Sequence, residues 1–149
     1  MGLKALLKQF EGERLKPYRD TKGINTIGVG FNFDDNPLPE DIQNYLITHG
    51  EITQEMSDRL LDDSIRIAQT DLNTVFGIKG TSDWTQARRN ALISVMFNMG
   101  LSRFRKFKKM ISFIQTGTWS LAADELLDSD RTKQVGERAH IESEMLRNG

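Results

Sequence analysis

The chain has 149 residues, 38% of them hydrophobic and none of them cysteine; that length supports one domain, or two small lobes sharing a core, burying roughly 70% of the unfolded surface without disulfides. Thiol chemistry and thiolate metal sites are excluded, and the formal net charge of -1, from 20 basic and 21 acidic residues, argues against a dedicated nucleic-acid binder, which carries a marked basic excess. The N-terminal segment is too charged and too poor in apolar residues for a signal peptide, and no run reaches the roughly 20 apolar residues of a membrane span.

Leu3, Leu6, Leu7 and Phe10 recur at helical spacing with Lys4 and Lys8 opposite them, which predicts a short amphipathic helix over residues 3–11, stopped by Gly12. Glu11 then stands at a helix C-terminus, where the backbone dipole is unfavourable to a carboxylate. From Leu15 to Phe33 the pattern turns to short β-branched and aromatic runs broken by Gly23, Gly28 and Gly30, the signature of a small antiparallel hairpin or meander with its turn at Asp20-Thr-Lys-Gly23. The glycines of Thr26-Ile-Gly-Val-Gly-Phe31 mark kinks or places where a ligand approaches the backbone.

Pro39 opens a helix that runs to His49 and stops at Gly50, and Thr53 caps a longer one. Met56, Leu60, Leu61, Ile65, Ala68, Leu72, Val75 and Phe76 hold helical period over some 24 residues, about 36 Å at 1.5 Å per residue. Gly77 to Ser82 reads as a break. Thr85 caps a helix closed by Gly100; Phe104, Phe107, Met110, Ile111 and Ile114 give the next; Thr118 caps another through Trp119 and Leu127; and a last helix follows the polar segment Asp128 to Lys133. The architecture expected is α+β and mostly helical, with one small sheet near the N-terminus. Its expected division is a β-containing lobe at about 13–52, a connecting helix at about 53–76, and a helical lobe formed by about 77–149 with residues 1–12.

Glu11, Asp20 and Thr26 form the most chemically suggestive group. Glycoside hydrolysis with inversion needs a protonated acid on one side of a sugar ring and a carboxylate on the other to take a proton from water, about 6.5 to 9.5 Å apart; a threonine hydroxyl can hold the same water. Spacing alone leaves Glu11 an ordinary helix end and Asp20 an ordinary turn residue.

The order of residue types adds to that reading. Glu11-Gly12, Tyr18, Asp20-Thr-Lys-Gly23 and Thr26-Ile-Gly-Val-Gly30 resemble the phage-type lysozymes of glycoside hydrolase family 24, the endolysins of T-even phages and their relatives. The likeness continues through Arg88-Arg-Asn-Ala-Leu-Ile-Ser-Val-Met-Phe-Asn-Met-Gly100, Thr116-Gly-Thr-Trp119 with Ala122-Ala123, and Gln134-Val-Gly-Glu-Arg138-Ala139, covering most of the chain in order. It implies a two-lobed lysozyme fold and a peptidoglycan substrate cut between N-acetylmuramic acid and N-acetylglucosamine, with no cofactor or metal. Glu11 matches the family's general acid, Asp20 and Thr26 its water-side residues, and Arg138 an arginine expected to support the acid. Phe31, Asn98 and Gln134 match positions expected to meet substrate. The chain departs from the family at Phe31, where a histidine is common, and at Arg131, where an aromatic is common.

The implied protein is a monomer without stable membrane insertion, made in a host cytoplasm and acting on the periplasmic wall after release through a holin-made lesion; a virion-borne or prophage enzyme fits equally. A lytic transglycosylase, which needs one acid and no attacking water, and a non-catalytic wall binder of the same fold are the competing readings. Elsewhere the bland readings lead. Arg103, Arg105, Lys106, Lys108 and Lys109 read as a solvated face or a patch drawn to an anionic envelope; His49 and His140 as surface residues; and Trp84 and Trp119 as core.

Overall fold

A computed structural model describes residues 2–149. The chain divides into two compact units, Met1–Ser64 and Ile65–Gly149, and the division falls inside its longest helix.

In the first unit, helix α1 (Leu3–Glu11) ends at Gly12, whose φ of 74° lets its N–H close back on Lys8 O at 2.9 Å. Strands β1 (Arg14–Arg19), β2 (Asn25–Gly28) and β3 (Phe31–Asn32) make an antiparallel sheet in the order β1-β2-β3. Register pairs Tyr18 with Thr26 and Ile27 with Phe31, and it shifts between Arg14 and Tyr18. Pro17 lies in that irregular stretch, on an edge strand, where a missing N–H costs no central ladder bond. Helix α2 (Glu40–His49) stops at left-handed Gly50, and α3 (Gln54–Phe76) begins where Thr53 Oγ1 accepts the Met56 N–H at 3.1 Å. Ile27, Ile42, Ile52 and Leu60 form the unit's core, with Leu15, Phe31 and Phe33 packed against it.

The second unit is helical. After α3 come α4 (Ile78–Ser82), α5 (Gln86–Met99), α6 (Leu101–Phe104), α7 (Lys108–Gln115), α8 (Trp119–Leu127), α9 (Asp130–Val135) and α10 (Glu137–Asn148). Helix α5 is buried continuously from Asn90 to Met96, as befits a helix surrounded by others rather than lying on a surface. Helix α10 packs on α8 and α5: Ser143 Oγ donates to Ala123 O at 2.9 Å, and Arg88 Nε donates to Leu146 O at 2.8 Å near the end of α10.

Four local expectations are corrected. Gly77–Ser82 is not a break throughout, because residues 78–82 are helical: buried Thr81 donates to Asn73 Oδ1 at 2.9 Å, and its carbonyl receives Arg89 at 2.7 Å, overriding the poor propensity of Gly80. The helix expected across Phe104 to Ile114 is two helices. Tight bonds from Lys106 N to Arg103 O and Phe107 N to Phe104 O interrupt it, where like charges three and four residues apart would repel along one helix. Thr118 does not cap α8 through its side chain, which instead meets Thr116 Oγ1 at 2.9 Å. Finally, the polar segment Asp128 to Lys133 is partly helical, as the start of α9, because Arg131 is buried in an ion cluster. Helix α1 lies in the first unit, where Lys4 pairs with Asp62 and Lys8 lies 3.6 Å from both Glu13 and Asp58.

Candidate active site

Glu11 is the last residue of α1 and half-buried, and the turn joining β2 to β3 shapes the space around its carboxyl group. Gly30, at φ +62°, lies against it so closely that a Cβ added there would stand 2.6 Å from Glu11 Oε1. Gly28 has a similar φ of +64°, and its Cβ would meet Ser57 Oγ at 3.1 Å. Both glycines thus allow close approach and a left-handed backbone. The groups that approach them are the protein's own side chains, where the sequence left room for a ligand. Ser57 in turn donates to Glu13 Oε2 at 2.8 Å, tying the start of α3 to the segment after α1.

Asp20 and Thr26 flank the first hairpin turn, closed by the Gly23 N–H on Asp20 O at 2.9 Å. Asp20 Oδ1 accepts the N–H groups of Lys22 and Ile24 at 2.8 and 2.9 Å, an Asx-type turn that fixes the carboxylate plane. Buried Thr26 donates its hydroxyl to Ile24 O at 2.9 Å. One residue's backbone therefore holds both side chains: Ile24 N–H positions Asp20 and Ile24 C=O positions Thr26. Oδ2 of Asp20 and the lone pairs of Thr26 Oγ1 are the atoms this arrangement leaves to accept hydrogens from a water.

Tyr18, which carried part of the resemblance, is a neighbour to which the sequence assigned no role. It faces Thr26 in the sheet, and Arg14 lies over its ring at 4.4 Å. Burial pushes the Tyr18 phenol above its ordinary value of 10.0; Arg14 opposes the shift, while the negative charges of Glu11 and Asp20 both add to it. Its one phenol thus lies within electrostatic reach of both candidate carboxylates. The available signal was the alternation of β1, which sets Tyr18 and Asp20 on one side of the chain.

Phe31, expected to meet substrate, packs half-buried against the core of its unit. In the second unit Asn98 and Gln134 are exposed, and Arg138 is buried. Arg138 donates through Nε to Glu142 Oε2 at 3.3 Å, and its outer nitrogen reaches Ser94 O at 3.0 Å. Arg131 stands where the resemblance implied an aromatic: its guanidinium grips Glu142 at 2.7 and 3.1 Å, and its Nε donates to Asn98 Oδ1 at 2.8 Å. Glu142, wholly buried and also receiving Ser94 Oγ at 2.6 Å, escaped sequence reasoning, although its position four residues after Arg138 was a readable pairing signal. Trp84 and Trp119 stack edge to face at 6.0 Å, and Trp84 does the same with Phe76 at 5.1 Å. Among the described residues no group of three or more potential ligands is placed to hold a metal ion, and no helix is long and apolar enough to cross a membrane.

A half-buried glutamate at a helix end, a backbone-held aspartate in a turn and a buried threonine on a strand thus stand in one unit, and the family comparison gives the class of protein. The phage lysozyme family model matches residues 8–141. A probable T4-type lysozyme 2 of Dictyostelium discoideum is 30% identical, with 93% of this chain and 89% of that protein aligned. An endolysin of Salmonella phage P22 is 34% identical over 66% of this chain and 60% of its own length; the pre-baseplate central spike protein Gp5 of Enterobacteria phage T4 is 28% identical over 93% of this chain but only 26% of its own length. The chain belongs to the phage lysozyme family. It is a glycoside hydrolase with the α+β fold of lysozymes, and its substrate is peptidoglycan.

Proposed function

We propose that the chain is a muramidase that cuts between N-acetylmuramic acid and N-acetylglucosamine with inversion. Glu11 gives its proton to the bridging oxygen as the glycosidic bond breaks. A water on the opposite face of the ring attacks the anomeric carbon, loses a proton to Asp20 Oδ2, and is steadied by Thr26 Oγ1. The observation that carries this reading is the shared Ile24 backbone, which presents Asp20 and Thr26 together as acceptors. Arg138 as support for the acid, and Asn98 and Gln134 as sugar contacts, belong to the same proposal. The endolysin relatives support a role in phage-induced host lysis, and the spike-protein relative supports delivery with a virion; a monomer released through a holin-made lesion belongs to the same proposal.

The test is lysis of outer-membrane-permeabilised bacteria by wild type and Glu11→Gln, with product analysis. Glu11→Gln loses lysis while keeping its circular dichroism spectrum and melting temperature; full activity in that variant removes Glu11 from the mechanism. Asp20→Ala loses several orders of magnitude. Inverting hydrolysis releases reducing muramic acid ends first seen as the α-anomer. Anhydro sugars would instead identify a transglycosylase.

A further inference from the structure

The geometry points to Arg131 as a positioning residue that sets the hydrogen-bonding polarity of Asn98, so that Asn98 offers substrate a donor pair rather than an acceptor. The inference rests on the muramidase reading, in which Asn98 meets substrate. A carboxamide can present either its oxygen or its NH2, and a free asparagine on a surface presents both in turn. At Asn98 the choice is forced, because Arg131 Nε–H can only donate and lies 2.8 Å from the side-chain oxygen. That bond fixes which end of the amide faces Arg131 and engages one lone pair of its oxygen, and the Nδ2 group of this exposed residue brings two hydrogens to donate.

The arginine making this choice is itself immobile. Arg131 is 6% exposed and its two terminal nitrogens grip Glu142, which is 0% exposed and further held by Ser94 and Arg138. Three of the five guanidinium donors are distributed by this geometry, two to the carboxylate and one to the amide; a lysine, with a single ammonium on a flexible stem, cannot serve Glu142 and Asn98 in the same planar way. A guanidinium with its plane fixed from behind transmits that orientation to an amide in front. The chemical group that fits two outward N–H donors is a carbonyl oxygen, such as the acetamido oxygen of an aminosugar or a peptide carbonyl of the wall stem.

Steady-state kinetics on soluble glycan strands cut from peptidoglycan, with and without stem peptides, test the idea. Asn98→Asp retains an oxygen toward Arg131 but replaces the outward donors with an acceptor. It should raise KM about five- to tenfold, as for one lost hydrogen bond, with kcat within twofold and no fall in melting temperature. Arg131→Lys should raise KM by a similar factor, and in an Asn98→Ala background should add nothing to it. In the nitrogen-15 spectrum of wild type, the Arg131 Nε–H signal should be protected from exchange and should lose that protection in Asn98→Ala. Wild-type KM in Asn98→Asp, or additive effects of the two substitutions, would overturn the inference while leaving the hydrolase reading intact. A wild-type protein that releases no reducing ends would overturn the hydrolase reading first. Loss of the KM effect on strands stripped of stem peptide assigns the carbonyl to the peptide; its persistence assigns it to the sugar.

Discussion

Polar groups are held in two different ways in the two units. In the first, the backbone fixes Asp20 and Thr26, which engage the N–H and C=O of Ile24 and keep further lone pairs available. In the second, Arg131, Arg138 and Glu142 fix one another through their side chains and are buried with almost no exposure. Groups that must bind or move a proton need unused bonding capacity, whereas groups that hold helices together spend that capacity on each other. A buried carboxylate shared by two guanidiniums therefore fixes positions and does not move protons.

The contrast breaks most sharply at Glu142. Glu142→Ala leaves two buried guanidiniums without their common partner, and the expected loss is about 3–5 kcal/mol, read as a fall in the urea midpoint at unchanged slope. A loss below about 1 kcal/mol would mean that the cluster admits water and that the two regions are less different than they look.

Next comes Gly30→Ala, with Gly28→Ala as its partner. Both place a Cβ at positive φ, costing about 1–3 kcal/mol of stability each, but only the Gly30 methyl runs into Glu11. Displacing a catalytic carboxyl by an ångström costs about a hundredfold in rate. Gly30→Ala is thus expected to lose about that much lytic activity at temperatures where it is fully folded, and Gly28→Ala far less. Equal losses in both variants would show that hinging of the hairpin, not the position of Glu11, controls the rate.

The smallest effect belongs to Tyr18. Its folded pKa is raised above the ordinary value of 10.0, first by burial, so the folded state retains the phenolic proton where the unfolded chain has lost it. The resulting stabilisation is complete below pH 10 and disappears as pH rises through the raised folded value. Above pH 10, wild type should therefore lose stability more steeply than Tyr18→Phe in denaturant titrations. Parallel slopes would mean that the phenol is no more buried than in the unfolded chain.

Much of the fold was legible because local signals agreed. Leu3, Leu6, Leu7 and Phe10 ending at Gly12 gave α1 to the residue, and Thr53, Thr85 and Gly100 marked helix limits that the structure keeps. What stayed hidden depended on partners distant in sequence. Residues 78–82 are helical because Arg89 and Asn73 meet Thr81, and Arg131 is buried in the first turn of α9 because Glu142 waits eleven residues on. At the candidate site, Glu11, Asp20 and Thr26 could be named from their order, but the closeness of Glu11 to Gly30 and the double use of Ile24 could not, since both are relations between backbone and side chain that leave no periodic trace.

That double use makes residues 20–26 a self-contained cassette. A displacement of the hairpin, whether thermal or caused by an arriving glycan, carries the aspartate and the threonine together and preserves the angle between them. The peptide N–H at position 24 is part of the device: proline there would remove one of the two bonds that hold Asp20 Oδ1. Transplanted into another hairpin of matching register, the seven residues would take the pairing of Asp20 and Thr26 with them.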